Sequence, residues 1–205
     1  MHYPDFFDAV PRITLNDPLC ELLGTFVQGE FDISYLDVVK GSGHSCPTVA
    51  GAYLMSYHAL KALYEDERAL RGQIRVEFSQ AVDEGTTGVI ANVISYITGA
   101  TEISGFKGLG GKFSRQALMA FKQAVPSVRF TRIEADQGVG KSVDLFYDPS
   151  SISPNPALMQ LMPLVLKGSA SPQQRAEFAR LWQERVRRIL IENFENQEII
   201  RVEEV

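Results

Sequence analysis

The residues best suited to chemistry in this chain lie in one short turn, Gly43-His44-Ser45-Cys46-Pro47. His44 and Cys46 stand two residues apart. Imidazole and thiolate are preferred ligands of Zn²⁺ and related borderline metals. The apolar run after Pro47 reads as a helix, and a helix N-terminus presents free N–H groups and a positive dipole that favour a thiolate. Flanking glycines leave the backbone free to aim both side chains into one pocket. The same pair has a second chemistry, with Cys46 as a nucleophilic or redox thiol and His44 as its base or charge partner. The plainer reading is a buried structural cysteine and a histidine bonded to a backbone carbonyl. A lone His-x-Cys is a weak motif beside a four-ligand set.

Other candidates fall on spacing. Gly140-Lys141-Ser142 looks like the end of a phosphate-binding loop. However, Ala135 stands where the leading glycine belongs, and the residues after Ser142 favour a strand rather than a helix. Gly111-Lys112 fails as well, because Phe113 cannot ligate Mg²⁺. On a single helix His58 lies roughly 18 Å from Cys46, too far to share a metal. It reads as a packing or surface histidine. Cys20, in an apolar segment, behaves as a small hydrophobe. His2 falls in an N-terminal arm.

The elements that must position the turn follow from pattern. Residues 1–14 read as an irregular arm. Asn16-Asp17-Pro18 looks like a helix start, with Leu19, Leu22, Leu23 and Phe26 as an apolar face ending near Gly29. Lys40–Gly43 reads as a turn of small residues. A helix from Pro47 or Thr48 to about Tyr64 is apolar nearly all round in its first turns, which predicts burial on most sides. Residues 72–78 alternate as a half-buried strand. Val89–Ile97 reads as a short buried helix, and 105–112 as a glycine-rich loop. Val128–Ala135 and Ser142–Tyr147 read as strands joined by a hairpin at 136–141. After Pro149 come a proline-rich linker and a short helix at Leu158–Leu166 interrupted at Pro163. A helix then starts at Ser171-Pro172 and runs to about Phe194. Phe178, Trp182, Val186, Ile189 and Leu190 share one face of it. Residues 198–202 form a candidate edge strand.

Composition bounds the rest. The chain has 205 residues, 45% hydrophobic and 22% charged, enough for one large domain or a core with an appendage. A net charge of −5 argues against a nucleic-acid or anionic-lipid partner. The most basic stretch, 175–188, carries Glu177 and Glu184 among its arginines and reads as a solvated helix face. There are two cysteines, no secretory pattern, and no apolar run of the roughly 18 residues a membrane span needs. The expectation is a cytoplasmic protein with free thiols.

Gly43-His44-Ser45-Cys46-Pro47, followed by Ala50-Gly51-Ala52-Tyr53, resembles the Gly-His-x-Cys-Pro signature of the FmdE-like family, named for a component of formylmethanofuran dehydrogenase. Thr98-Gly99-Ala100-Thr101, with the loop ending in Gly111-Lys112, fits the same family more loosely. Together they span residues 40 to 120. The resemblance implies an α+β core that dimerises, with His44 and Cys46 as metal ligands, zinc being the usual metal. Members often carry a further Cys and an Asp after the first core strand. Here residues 83–92 contain no Cys, and Asn92 stands where the Asp would be. Asp83, Glu84, Glu77, water or a second chain is then left to complete the site. The expected fold is α+β: a mixed or antiparallel sheet packed on a buried helix, with residues 1–150 as core and arm and 151–205 as an added helical segment packed on it. Three functions follow. The first is metal binding at His44 and Cys46, with an unknown small molecule as substrate if the site is catalytic. The second is a non-catalytic accessory module of a metal-enzyme system. The third is a metal-free thiol site with Cys46 as the catalytic group.

Overall fold

A computed structural model describes residues 2–134 and 138–205. A 3₁₀ turn at Asp5–Ala9 precedes strand β1 (Ile13–Asn16), helix α1 (Pro18–Leu22) and strand β2 (Glu30–Ile33). Helices α2 (Tyr35–Ser42) and α3 (Pro47–Tyr64) follow, then β3 (Ala69–Leu70), β4 (Ile74–Phe78), α4 (Thr87–Thr98), β5 (Met119–Ala120), β6 (Val128–Ile133) and β7 (Val139–Tyr147). The chain closes with α5 (Pro156–Leu166), α6 (Pro172–Arg187), a π-helical turn at Arg188–Glu192 and β8 (Ile200–Glu204).

The fold is α+β, built round α3. Val49, Ala50, Tyr53, Leu54 and Ala59 have no exposed surface, so the helix is buried on most sides, as its unbroken apolar start predicts. One flank meets a five-stranded mixed sheet in the order β5-β4-β6-β7-β8. Its β4, β6, β7 and β8 are antiparallel neighbours, and β5 runs parallel to β4. Helices α2 and α4 pack on another flank. A second sheet, β2-β1-β3, closes one end. The Tyr53 hydroxyl bonds the carbonyls of Pro11 and Ile33, tying α3 to the approach to β1 and to the end of β2. β8 pairs with β7, and the π-helical turn packs on α3, so residues 151–205 are knitted into the core. Among the described residues no helix is long and apolar enough to cross a membrane.

Several local expectations need correction. The N-terminal segment is not an irregular arm: Phe7, Val10, Ile13 and Leu15 are buried, so apolar burial overrides its two prolines. The helix expected from Pro18 to Gly29 stops at Leu22; Leu22 and Leu23 are 55% and 62% exposed, so their apolar face has nothing to pack on. The Lys40–Gly43 turn is instead the end of α2. That helix begins with a capping box, in which the Ser34 and Asp37 side chains each take the other's backbone N–H. Pro163 does not break α5, which runs on to Leu166. The last long helix changes to π-helical winding after Arg187, short of Phe194. Of the hairpin turn expected at 136–141, residues 136 and 137 lie outside the described residues, and 139–141 belong to β7, which starts earlier than its apolar part suggests.

Candidate functional site at the Gly43–Pro47 turn

The turn joins the end of α2 to the start of α3. Gly43 closes α2 in the left-handed region at φ 75°, its N–H returned to the Val39 carbonyl at 2.8 Å. Glycine adopts this conformation without the Cβ penalty of other residues. Cys46 has extended backbone (φ −150°, ψ 169°) and caps α3, with Pro47 as the first helical residue. Its Sγ accepts the Val49 N–H at 3.4 Å, taking a side-chain oxygen's usual part at an N-cap.

Ser45 is buried between these two residues and is the anchor of the turn. The Tyr35 hydroxyl lies 2.9 Å from Ser45 Oγ. Oγ in turn donates to Gln183 Oε1 at 3.0 Å, so Tyr35 is the donor to Ser45. The Ser45 carbonyl accepts from Gln183 Nε2 at 3.2 Å and from the Trp182 indole N–H at 3.0 Å. Helix α6 therefore grips one residue through both its side chain and its backbone. On the α3 side, the Tyr147 hydroxyl donates to the Pro47 carbonyl at 2.7 Å. The Tyr147 ring reaches this position only because Gly51 has no side chain: a Cβ there would lie 2.2 Å from the ring. Burial pushes the Tyr35 hydroxyl above its ordinary range, against the opposing bond to Ser45; nearby Cys46 adds to the rise. Burial likewise raises Tyr147. Both phenols stay neutral donors.

His44 is exposed, with Nδ1 3.0 Å from the Ser42 carbonyl. A carbonyl only accepts, so Nδ1 carries the proton and Nε2 of the neutral ring is left with its lone pair. His44 lines a cavity of about 370 Å³ between α2 and α4, together with Val38, Val89, Asn92, Val93 and Tyr96. Cys46 does not line that cavity. A second cavity, of about 300 Å³, opens on the α3 side beside Pro47, Thr48 and Tyr147. Among the described residues no hydrogen bond joins His44 to Cys46, and no group of three His, Cys, Asp or Glu side chains is placed to hold a metal. The His44 imidazole and Cys46 thiol are donors of the kind a borderline metal takes. Glu84 is engaged locally, accepting the Ala81 N–H, and Asp83 is exposed. Asn92 stands in the His44 cavity, beside valines that carry no ligand atom.

The other chemistry-bearing residues have structural partners. His58 Nε2 lies 2.8 Å from the Phe194 carbonyl, and its ring packs on Tyr57 and Phe194, tying α3 to the end of the π-helical turn. Cys20 is half-buried, and burial, with Asp17 nearby, pushes its thiol up. Gly140-Lys141-Ser142 lies in β7, with Lys141 paired to Glu204.

The most strongly held ionic cluster lies elsewhere. Asp17, 1% exposed, accepts from Arg115 at 2.6 Å, from Arg71 at 3.1 Å and from the Leu19 N–H at 2.9 Å. Arg71 also donates to the Tyr96 and Ile97 carbonyls at the end of α4. Burial alone would raise the Asp17 carboxyl. The Arg115 charge and the Arg71 and Leu19 hydrogen bonds outweigh it and hold the group below its ordinary range.

The residues that sequence reading misses are the supports of the turn: Tyr35, Tyr147, Trp182 and Gln183. Trp182 is legible only as part of an apolar face. Nothing local marks Gln183 as a partner of a residue so far away along the chain. Comparison with protein-family models and with curated proteins gives no match for the chain.

Proposed function

We propose that the Gly43–Pro47 turn is an open metal-binding site of the FmdE-like type, in which the chain supplies His44 and Cys46 and the remaining positions are filled from outside it. The observation that carries this reading is the anchoring of Ser45. Four hydrogen bonds fix the residue between the two donors, while Nε2 of His44 keeps a free lone pair. Rigid support with an uncommitted donor suits a binding site better than a purely structural turn. The outside ligands are water, a small molecule or a second copy of the chain, consistent with the dimerisation that the family resemblance implies. A zinc ion bound here would supply Lewis-acid chemistry with open coordination positions. The chain's own part is to hold His44 in one tautomer and Cys46 at the head of α3.

The test is titration of tag-free protein with cobalt(II). Wild type is expected to develop thiolate-to-metal absorption at about one ion per chain, lost in Cys46→Ser and weakened in His44→Ala by more than the roughly tenfold that loss of a mere outer-shell partner costs. Sedimentation with and without metal shows whether a second copy completes the site. Equal metal uptake by wild type and both variants, or none by any, would sink the reading.

A further inference from the structure

The exposed apolar side chains of this molecule are gathered rather than scattered. Among the described residues fifteen large apolar side chains are exposed, and eight of them stand on three short segments. Leu22, Leu23, Phe26 and Val27 belong to α1 and the turn after it. Ile103, Phe106 and Leu109 belong to the glycine-rich loop 101–117, and Tyr96 to the end of α4. Val27 and Ile103 are 86% and 85% exposed.

The three segments meet at the Asp17 carboxylate. Asp17 caps α1. Arg115, whose N–H bonds the Phe106 carbonyl at 2.8 Å, reaches Asp17 from the loop. Arg71 reaches it as well and holds the Tyr96 carbonyl. The loop is fixed at its base, where Thr101 donates to the Arg115 carbonyl and accepts from the Leu118 N–H, both at 3.0 Å. Leu109 and Lys112 bond each other across its tip. The loop therefore displays its apolar side chains in a set arrangement rather than tucking them in.

Area and charge together select the occupant. At about 100 Å² left open on each large side chain, the eight expose on the order of 800 Å². That exceeds the roughly 300–600 Å² of the largest apolar patch on a typical monomer, and it is about what each partner buries in a stable protein pair. Four charged side chains on the same segments, Glu21, Glu102, Lys107 and Lys112, are exposed and make no ion pair or hydrogen bond within the chain. Two are acidic and two basic. A nucleic acid or an anionic bilayer needs a face of net positive charge. Balanced charges around an apolar centre are self-complementary, which is what a two-fold contact requires.

We infer that this face docks a second copy of the chain about a two-fold axis, apolar groups against their counterparts and the acids of each copy toward the lysines of the other. Tyr96 also lines the cavity beside His44, so the second copy sits next to the open turn. As a source of outside ligands for a metal, that copy rests on the reading above; as a dimer face it does not.

Chelator-treated, full-length protein is followed by sedimentation equilibrium. Wild type is expected to dimerise with a dissociation constant at or below about 10 µM, within the range for an interface of this size. Val27→Glu and Ile103→Glu each set a carboxylate among apolar groups and are expected to raise that constant at least about a hundredfold. Both positions are exposed in the single chain, and thermal unfolding checks that each variant is folded. Leu166→Glu, at an equally exposed position on α5, is expected to dimerise as wild type does. The pair Lys107→Glu and Lys112→Glu, and the pair Glu21→Lys and Glu102→Lys, are each expected to weaken self-association, and an equal mixture of the two double variants to restore it. Cys46→Ser is expected to dimerise as wild type even where it has lost the metal, so failure of the metal reading leaves this inference standing. A wild type that binds cobalt yet stays monomeric overturns this inference alone. Wild type still monomeric at about ten times that concentration overturns it, whether or not it sediments with phosphatidylserine vesicles. So does dimerisation unchanged in both Val27→Glu and Ile103→Glu, or dissociation by Leu166→Glu instead.

Discussion

Asp17 and Cys46 each cap a helix with a side chain that accepts a backbone N–H, yet their surroundings are opposite. Asp17 at α1 is closed: two arginines and the Leu19 N–H take its oxygens, and almost none of it meets solvent. Cys46 at α3 takes one N–H, and His44 next to it is exposed with one ring nitrogen uncommitted. This buried cluster of charge thus acts as a clasp. It ties α1 and Arg71, and through Arg71 the end of α4, to Arg115. The sparser site is the one with valence to spare. Strong ionic pairing marks a functional site only when some capacity is left over for a ligand.

This contrast can be broken by substitution. Arg115→Leu leaves the buried Asp17 carboxylate with only half-exposed Arg71, and should cost about 3–5 kcal/mol in denaturant unfolding. A loss under about 1 kcal/mol would mean that Asp17 is not held as described. The same cluster sets an acid limit. Asp17 is held below its ordinary range, so the unfolded chain takes up its proton first. Its stabilisation is complete above the unfolded value of about 3.9 and lost as pH falls through the lower folded one. Unfolding followed across acid pH should show this loss in wild type and a much smaller one in Arg115→Leu.

Gly51→Ala forces a methyl group into the Tyr147 ring, an overpacking expected to cost about 1–3 kcal/mol. It should also loosen Pro47, which Tyr147 holds. Retained stability together with a Tyr147 ring unmoved by NMR would contradict the packing. Gln183→Leu removes two of the bonds to Ser45 and should cost about 1–2 kcal/mol. The sharper readout is at a distance: cobalt affinity should fall although α6 supplies no metal ligand. The smallest effect is expected at His44→Ala, within about 0.5 kcal/mol of wild-type stability because the side chain is exposed. If it destabilises as much as Arg115→Leu, the turn is structural and the contrast disappears.

The sequence is most legible where pattern and burial agree. The bounds of α3, from Pro47 to Tyr64, follow from a proline start and an unbroken apolar run, β4 follows from alternation, and β6 and β7 from two strand-like segments flanking a glycine-containing turn. It misleads where local composition opposes tertiary burial. The prolines near the N-terminus hide Phe7, Val10 and β1, and the leucines after Pro18 promise a helix face that nothing covers. The turn itself is visible as a motif. Its supports are not, because Tyr35, Tyr147, Trp182 and Gln183 reach it from separate elements, and hydrogen bonds between distant residues leave no periodic trace. Asn92 is singled out only by the family resemblance; in the structure it lines the same cavity as His44.

Trp182 is the only tryptophan in the chain, and its indole N–H is spent on the carbonyl of Ser45. Half-buried, with its ring against Phe178, it looks outward to solvent and inward to the turn. The molecule therefore carries a built-in optical probe at the joint between its two candidate ligands. Any event that shifts Ser45, whether a metal arriving or a helix letting go, changes the hydrogen bond and wetting of this one fluorophore. Its emission reports on the site without a label.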